Sequence, residues 1–69
     1  MKLSARNVLK GQVTSINLGA VNAEITVEIA PGLEMVSIIT KGSCENLGLE
    51  AGKEVAVVIK ASNVMIGAD

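Results

Sequence analysis

The chain has no histidine, phenylalanine, tyrosine or tryptophan, and only one cysteine and one proline among its 69 residues. Without histidine, and with Cys44 as the sole thiol, neither a hydrolytic triad nor a Cys–His pair can be assembled, and no zinc constellation is available. A single cysteine also excludes an internal disulfide. The missing aromatics remove the rings on which single-stranded nucleic acid stacks. Seven acidic residues against six basic ones leave a net charge of −1, which gives no long-range field to gather a polyanion. The acids show no paired-carboxylate spacing, and the seven glycines are dispersed without a P-loop or dinucleotide fingerprint. No apolar run approaches the roughly 18 residues of a membrane span, and no charged segment followed by an apolar one opens the sequence. The expectation is a non-catalytic, cytoplasmic protein that engages neither nucleic acid nor membrane.

A length below the roughly 100 to 200 residues of a typical domain predicts one unit over residues 1–69. Chains under about 70 to 80 residues rarely draw more than about 3 to 5 kcal/mol from a core of their own. With disulfides and zinc excluded, self-association is the remaining support. The 49% of hydrophobic residues is more than so small a monomer can hide, so part of that surface is expected to face sister subunits. Cys44 reads as a small buried hydrophobe rather than a reactive thiol.

The pattern of the chain is that of an all-β protein with one short helix. Val8 to Leu18 predicts a long strand bent or bulged at Gly11 and ended by Gly19. From Val21 to Ile29, Val, Ala, Ile, Val and Ile alternate with Asn, Glu, Thr and Glu, as in a half-buried strand. Ala30-Pro31-Gly32-Leu33 suits a type II hairpin turn. Leu33 to Ile39 reads as a strand whose later half is buried on both faces, since Val36 and Ile38 join Met35 and Ile39. Thr40 to Gly48 predicts a helix of one or two turns, capped by Thr40 or Ser43 and closed by Gly48. Glu50-Ala51-Gly52-Lys53 is a turn, Glu54 to Lys60 a β-branched strand, and Val64-Met65-Ile66 a short fifth strand. Five strands with a helix between the third and fourth match an OB-like barrel.

Two donor-rich segments are unexplained by core packing: Ser4-Ala5-Arg6-Asn7 before the first strand and Lys60-Ala61-Ser62-Asn63 after the fourth. A guanidinium fork, an ammonium, hydroxyls and backbone amides supply what a small oxyanion with no proton to donate requires. If the chain leaves Lys60 in a helical turn, the Ala61 and Ser62 amides are free to point at an anion. Thr40, at another strand exit, could add a hydroxyl. The plainer alternative is that Arg6 and Lys60 are solvated charges or ordinary ion pairs, in a module whose sheet edges and apolar surface dock a partner protein.

Taken together, Ser4-Ala5-Arg6-Asn7 with Leu9-Lys10-Gly11, the Ser37-Ile38-Ile39-Thr40 strand end, Leu47-Gly48-Leu49 and Lys60-Ala61-Ser62 resemble the molbindins, small molybdate-binding proteins also called Mop. The resemblance covers nearly the whole chain. It implies an OB-like fold, strand-exchanged dimers assembling to a hexamer, and molybdate or tungstate held between subunits for storage and homeostasis, with no covalent cofactor. Carried over by position, Ser4 and Arg6 of one subunit would meet Thr40, Lys60, Ala61 and Ser62 of a neighbour. The Gly19 to Asn22 turn, with Asn22 as donor, is the candidate for a further site on the threefold axis. A donor-only lining would discriminate against a protonated phosphate, whose hydroxyl would lack an acceptor, and against the smaller sulfate.

Overall fold

The computed structural model describes all 69 residues, Met1–Asp69. The elements are β1 (Asn7–Leu18), β2 (Asn22–Ala30), β3 (Leu33–Thr40), helix α1 (Lys41–Asn46), β4 (Glu54–Ile59) and the 3-10 turn η1 (Ala61–Asn63). The strands form one antiparallel sheet in the order β3-β2-β1-β4.

The alternation in β2 carries the core. Ala23, Ile25 and Val27 point inward and are buried, while Glu24 and Glu28 on the other face are exposed and Thr26 is half-buried. Val21, expected on the same face, lies outside β2 and is 71% exposed. Val13 of β1 and Cys44 of α1 complete the buried set, with Ile16, Ile29, Ile39, Leu49, Val55 and Val57 packed around it. Burial of a valine or isoleucine contributes about 1.5 to 3 kcal/mol, so a core of five buried residues is a small one. Cys44 is a core residue, as expected.

The turn between β2 and β3 has Gly32 at φ +76°, the value that the third position of a type II turn requires. Thr40 caps α1, its Oγ1 accepting from the Ser43 N–H at 3.0 Å. Gly48 closes the segment at φ +62°.

β1 serves two neighbours. Its first half, Asn7 to Gln12, pairs with β4, and Gln12 to Leu18 pairs with β2. The bulge expected at Gly11 instead falls between Val13 and Ser15, where the register with β2 slips at Thr14. Gly11 has a different task, because a Cβ there would lie 2.6 Å from the Glu28 carbonyl oxygen and 2.7 Å from Val27 Cγ1. Only glycine lets β1 pass this close to β2 as it curls toward β4.

Two further expectations are corrected. Val64-Met65-Ile66 forms no strand within the chain: beyond η1 it pairs with no strand of the sheet, and Val64 is 46%, Met65 92% and Ile66 89% exposed. The sheet is therefore four-stranded, with β3 and β4 as free edges. The later half of β3 is not covered on both faces either: Val36 and Ile38 are 61% and 66% exposed, since α1 packs over the other side.

Gly11→Ala should lower stability by about 1 to 3 kcal/mol through overpacking. A urea midpoint equal to that of the unaltered protein would refute the close passage of β1 over β2.

Candidate functional site

The donors sort into two groups at opposite ends of the sheet. The β1–β4 ladder ends at Asn7↔Ile59, so Arg6 and Lys60 are the next residues outward on the two chains. Ser4-Ala5-Arg6 and Lys60-Ala61-Ser62 thus leave the sheet from the same end of the same protomer. Ser4, Arg6, Lys60 and Ser62 are exposed and Ala61 is half-buried. None of these four exposed side chains takes part in a hydrogen bond within the chain. The first ten residues contain Lys2, Arg6 and Lys10 and no acid, and no acid occurs from Val55 to Ala68. A locally cationic surface therefore sits on a molecule of slightly negative net charge.

The backbone turns as expected beyond β4. Lys60 is extended, with φ −63° and ψ 133°, and the chain then enters η1. That turn is closed by Asn63 N–H donating to the Lys60 carbonyl at 2.9 Å and Val64 N–H to the Ala61 carbonyl at 3.2 Å. The Ala61 and Ser62 amides precede these bonds and have no acceptor inside the turn, the ordinary condition of a helix start. They stand beside the Lys60 ammonium stem and the Ser62 hydroxyl.

Thr40 lies elsewhere. It pairs with Asn22, whose neighbour Ala23 pairs with Leu18 at the far end of β1. The 12-residue β1, roughly 35 to 40 Å of strand path, separates the Thr40 end of the ladder from the Lys60 end. Asn22 and the Gly19 turn share the Thr40 end, tied to it by Lys41 N–H donating to the Val21 carbonyl at 2.8 Å. The structure thus sets the Ser4-Arg6 and Lys60-Ser62 segments at one end of the sheet within one protomer, where the resemblance implied that Ser4 and Arg6 meet Lys60, Ala61 and Ser62 of a neighbour, and it leaves Thr40 at the other end.

Sequence reasoning treated Ser43 only as a possible cap. In the structure its hydroxyl is 2.8 Å from the Thr40 Oγ1, forming an exposed hydroxyl pair at the start of α1. The signal was the Thr-x-x-Ser spacing itself, which places a residue three positions after a cap beside it.

Residues 3–66 match the TOBE domain family, to which the chain belongs, and the fold is the OB-like one of a binding domain. It is 48% identical over 66 residues to molybdenum-pterin-binding protein 3 of Clostridium pasteurianum, covering 96% of this chain and 97% of that protein. Among solved structures it is similar to MopII from the same organism, with TM-score 0.91 and 46% identity over 97% of this chain and 100% of that one. It also matches ModG, a cytoplasmic molybdate-binding protein solved with molybdate bound, at TM-score 0.95 and 48% identity, covering 100% of this chain and 49% of that one. Within the TOBE family the chain belongs to the molybdenum-pterin-binding proteins, the Mop group.

Thr40→Val removes the cap acceptor while keeping the side-chain shape, and should cost about 1 kcal/mol of stability. Thr40→Ser should restore most of it. Equal urea midpoints for the unaltered protein and Thr40→Val would refute the cap.

Proposed function

We propose that this protein binds molybdate as an intact anion, without bond chemistry, at sites shared between copies of the chain, and so stores and buffers molybdenum in the cytoplasm. The observation that carries this reading is the division of the donors: Ser4, Arg6, Lys60, Ala61 and Ser62 at one end of the sheet, Thr40 at the other. Neither group encloses an anion alone, and the two are complementary across a subunit boundary. Ser43 joins Thr40 as a second hydroxyl. The high similarity to ModG, solved with molybdate bound, supports the choice of anion.

The donor chemistry argues for the bare oxyanion. Arg6 offers a planar fork, Lys60 a compact charge, and the Ala61 and Ser62 amides two further N–H groups. A lining of donors suits a fully deprotonated tetrahedral anion and leaves the hydroxyl of a protonated phosphate without an acceptor. Sulfate is smaller and would stretch the same contacts, whereas tungstate is close to molybdate in size and should compete. With no aromatic residue, the chain has no ring to stack on a pterin.

The same reading accounts for the exposed apolar surface. Ile25, Val27, Ile39, Leu49, Val55 and Val57 line an open groove of about 430 Å³ on the inner face of the sheet. The unpaired Val64-Met65-Ile66 tail and the free sheet edges are suited to strand exchange between two copies. Assembly of such dimers to a hexamer would bring one protomer's Thr40 to another's Arg6, and would leave the Gly19 to Asn22 turn for a threefold-axis site with Asn22 as donor.

Calorimetric titration of the anion-free protein with molybdate, against sulfate and phosphate at matched ionic strength and with native mass spectrometry alongside, tests the reading. Selective, saturable uptake by an intact oligomer is expected; no heat and no adduct would leave partner docking as the better account. Arg6→Ala should weaken molybdate binding by at least about a hundredfold with the oligomer retained, because the anion's charge is left unpaired. Unchanged affinity would remove Arg6 from the site.

A further inference from the structure

Lys53 lies in the turn before β4, outside both groups of donors, yet it is the one basic side chain that hydrogen-bonds within the chain. Its Nζ donates to the Leu47 carbonyl at 2.7 Å and to the Gly48 carbonyl at 3.3 Å. These carbonyls are at the C-terminal end of α1, which has no basic residue in its own last turn. The ammonium thus satisfies acceptors that the helix leaves open. A Cβ on Gly48 would stand 3.5 Å from Nζ, so the lysine head closes directly over the helix end.

The backbone of the same turn is fastened to the middle of the sheet. Val13 N–H donates to the Lys53 carbonyl at 2.9 Å, Gly52 N–H donates to the Val13 carbonyl at 2.8 Å, and the Gln12 Nε2 donates to the Gly52 carbonyl at 3.0 Å. Val13 is 1% exposed, the most firmly buried large side chain of the core. Lys53 is therefore anchored at its backbone to the most deeply buried valine of the core and holds the end of α1 with its side chain. The other end of that six-residue helix is the Thr40–Ser43 hydroxyl pair. A helix this short has little stability of its own; besides Lys53, it is held to the sheet by the buried Cys44 side chain and by the Lys41 N–H donating to the Val21 carbonyl.

We infer that Lys53 is a positioning residue for oxyanion binding: by clamping the C-terminal carbonyls of α1 to the β1 core it holds Thr40 and Ser43 in the orientation that a neighbouring copy's anion site requires. The inference rests on the proposed molybdate function. Lys53 touches no anion. It acts through α1, by reducing the ordering that Thr40 and Ser43 undergo when the anion binds.

The test is a double-mutant cycle on the full-length oligomer, with molybdate as the titrant and native mass spectrometry confirming assembly of each variant. Lys53→Met keeps the aliphatic stem and removes the charged head; it should weaken molybdate binding about three- to tenfold. Lys53→Arg, which can still donate to both carbonyls, should restore binding. In a Thr40→Ala background, Lys53→Met should cause no further loss. Amide hydrogen exchange without anion should show faster exchange at Ser43, the amide capped by Thr40, in Lys53→Met alone. An equal loss in both backgrounds would mean that Lys53 acts as a long-range charge on the dianion, and would overturn the inference. Unchanged affinity in Lys53→Met, with the unaltered protein binding normally, would overturn it while leaving the molybdate reading intact. Failure of the unaltered protein to bind molybdate would overturn both.

Discussion

The passage of β1 beneath β2 at Gly11 lets one strand serve two partners, and most of the architecture follows from it. With the Glu28 carbonyl and Val27 Cγ1 inside the space a Cβ would fill, the backbones approach closely enough for β1 to curl. Its outer half then becomes the partner of β4 and its inner half remains the partner of β2. The curl gathers Val13, Ile25, Val27 and Ala23 beneath α1 and Cys44. The register of the same ladders sets Arg6 and Lys60 at the Asn7 end of β1 and Thr40 beyond its Leu18 end. A flatter sheet would enclose less apolar surface.

The cost of this arrangement is a thin core. Five buried residues in a chain of 69 leave long apolar side chains in solvent, among them Val36 and Ile38 on the outer face of β3 and Met65 and Ile66 beyond η1. Exposed apolar surface on this scale marks an interface. On the proposed reading, the small core and the split donor set have the same remedy, association with further copies of the chain. A protein that depends on association for its stability can place its ligand at the junction without a separate scaffold.

How far the sequence was legible depended on whether a residue's role was local. The alternation read from Val21 to Ile29 holds from Ala23 onward, the Pro31-Gly32 turn falls where it was read, and of the two candidate caps, Thr40 and Ser43, it is Thr40 that caps; all are set by neighbours within a few positions. The donor segments around Arg6 and Lys60 were legible as chemistry, and their adjacency follows from a ladder that the strand pattern implies. The bulge was misplaced because glycine is the visible signal for a bulge, whereas Gly11 answers a steric contact with β2 and Thr14, where the register slips, carries no mark of its own. The fifth strand and the two-sided burial of β3 were misread within the chain for another reason. Val64-Met65-Ile66 and Val36 with Ile38 have the composition of covered residues, but composition does not say whether the cover belongs to the same chain. Ser43 was seen only as a cap because its pairing with the Thr40 hydroxyl depends on which of two adjacent side chains the helix start selects. Lys53 was taken as part of a turn, since its contact with Leu47 and Gly48 appears only once α1 is folded onto the sheet.

On the proposed reading, an anion site built from two copies makes binding and assembly a single equilibrium. An anion that contacts Arg6 of one protomer and Thr40 of another stabilises the junction by its binding free energy, which grows with the free anion concentration relative to the dissociation constant. Linkage requires the converse: whatever strengthens the junction, such as burial of Val64-Met65-Ile66 against a neighbour, tightens anion binding by the same factor. A dissociated protomer retains the Arg6 and Lys60 half of the site, where exposed donors are already satisfied by water and an added anion gains little. High affinity is thereby confined to the assembled state, and a cage with no catalytic group in reach can hold its cargo and release it chemically unchanged.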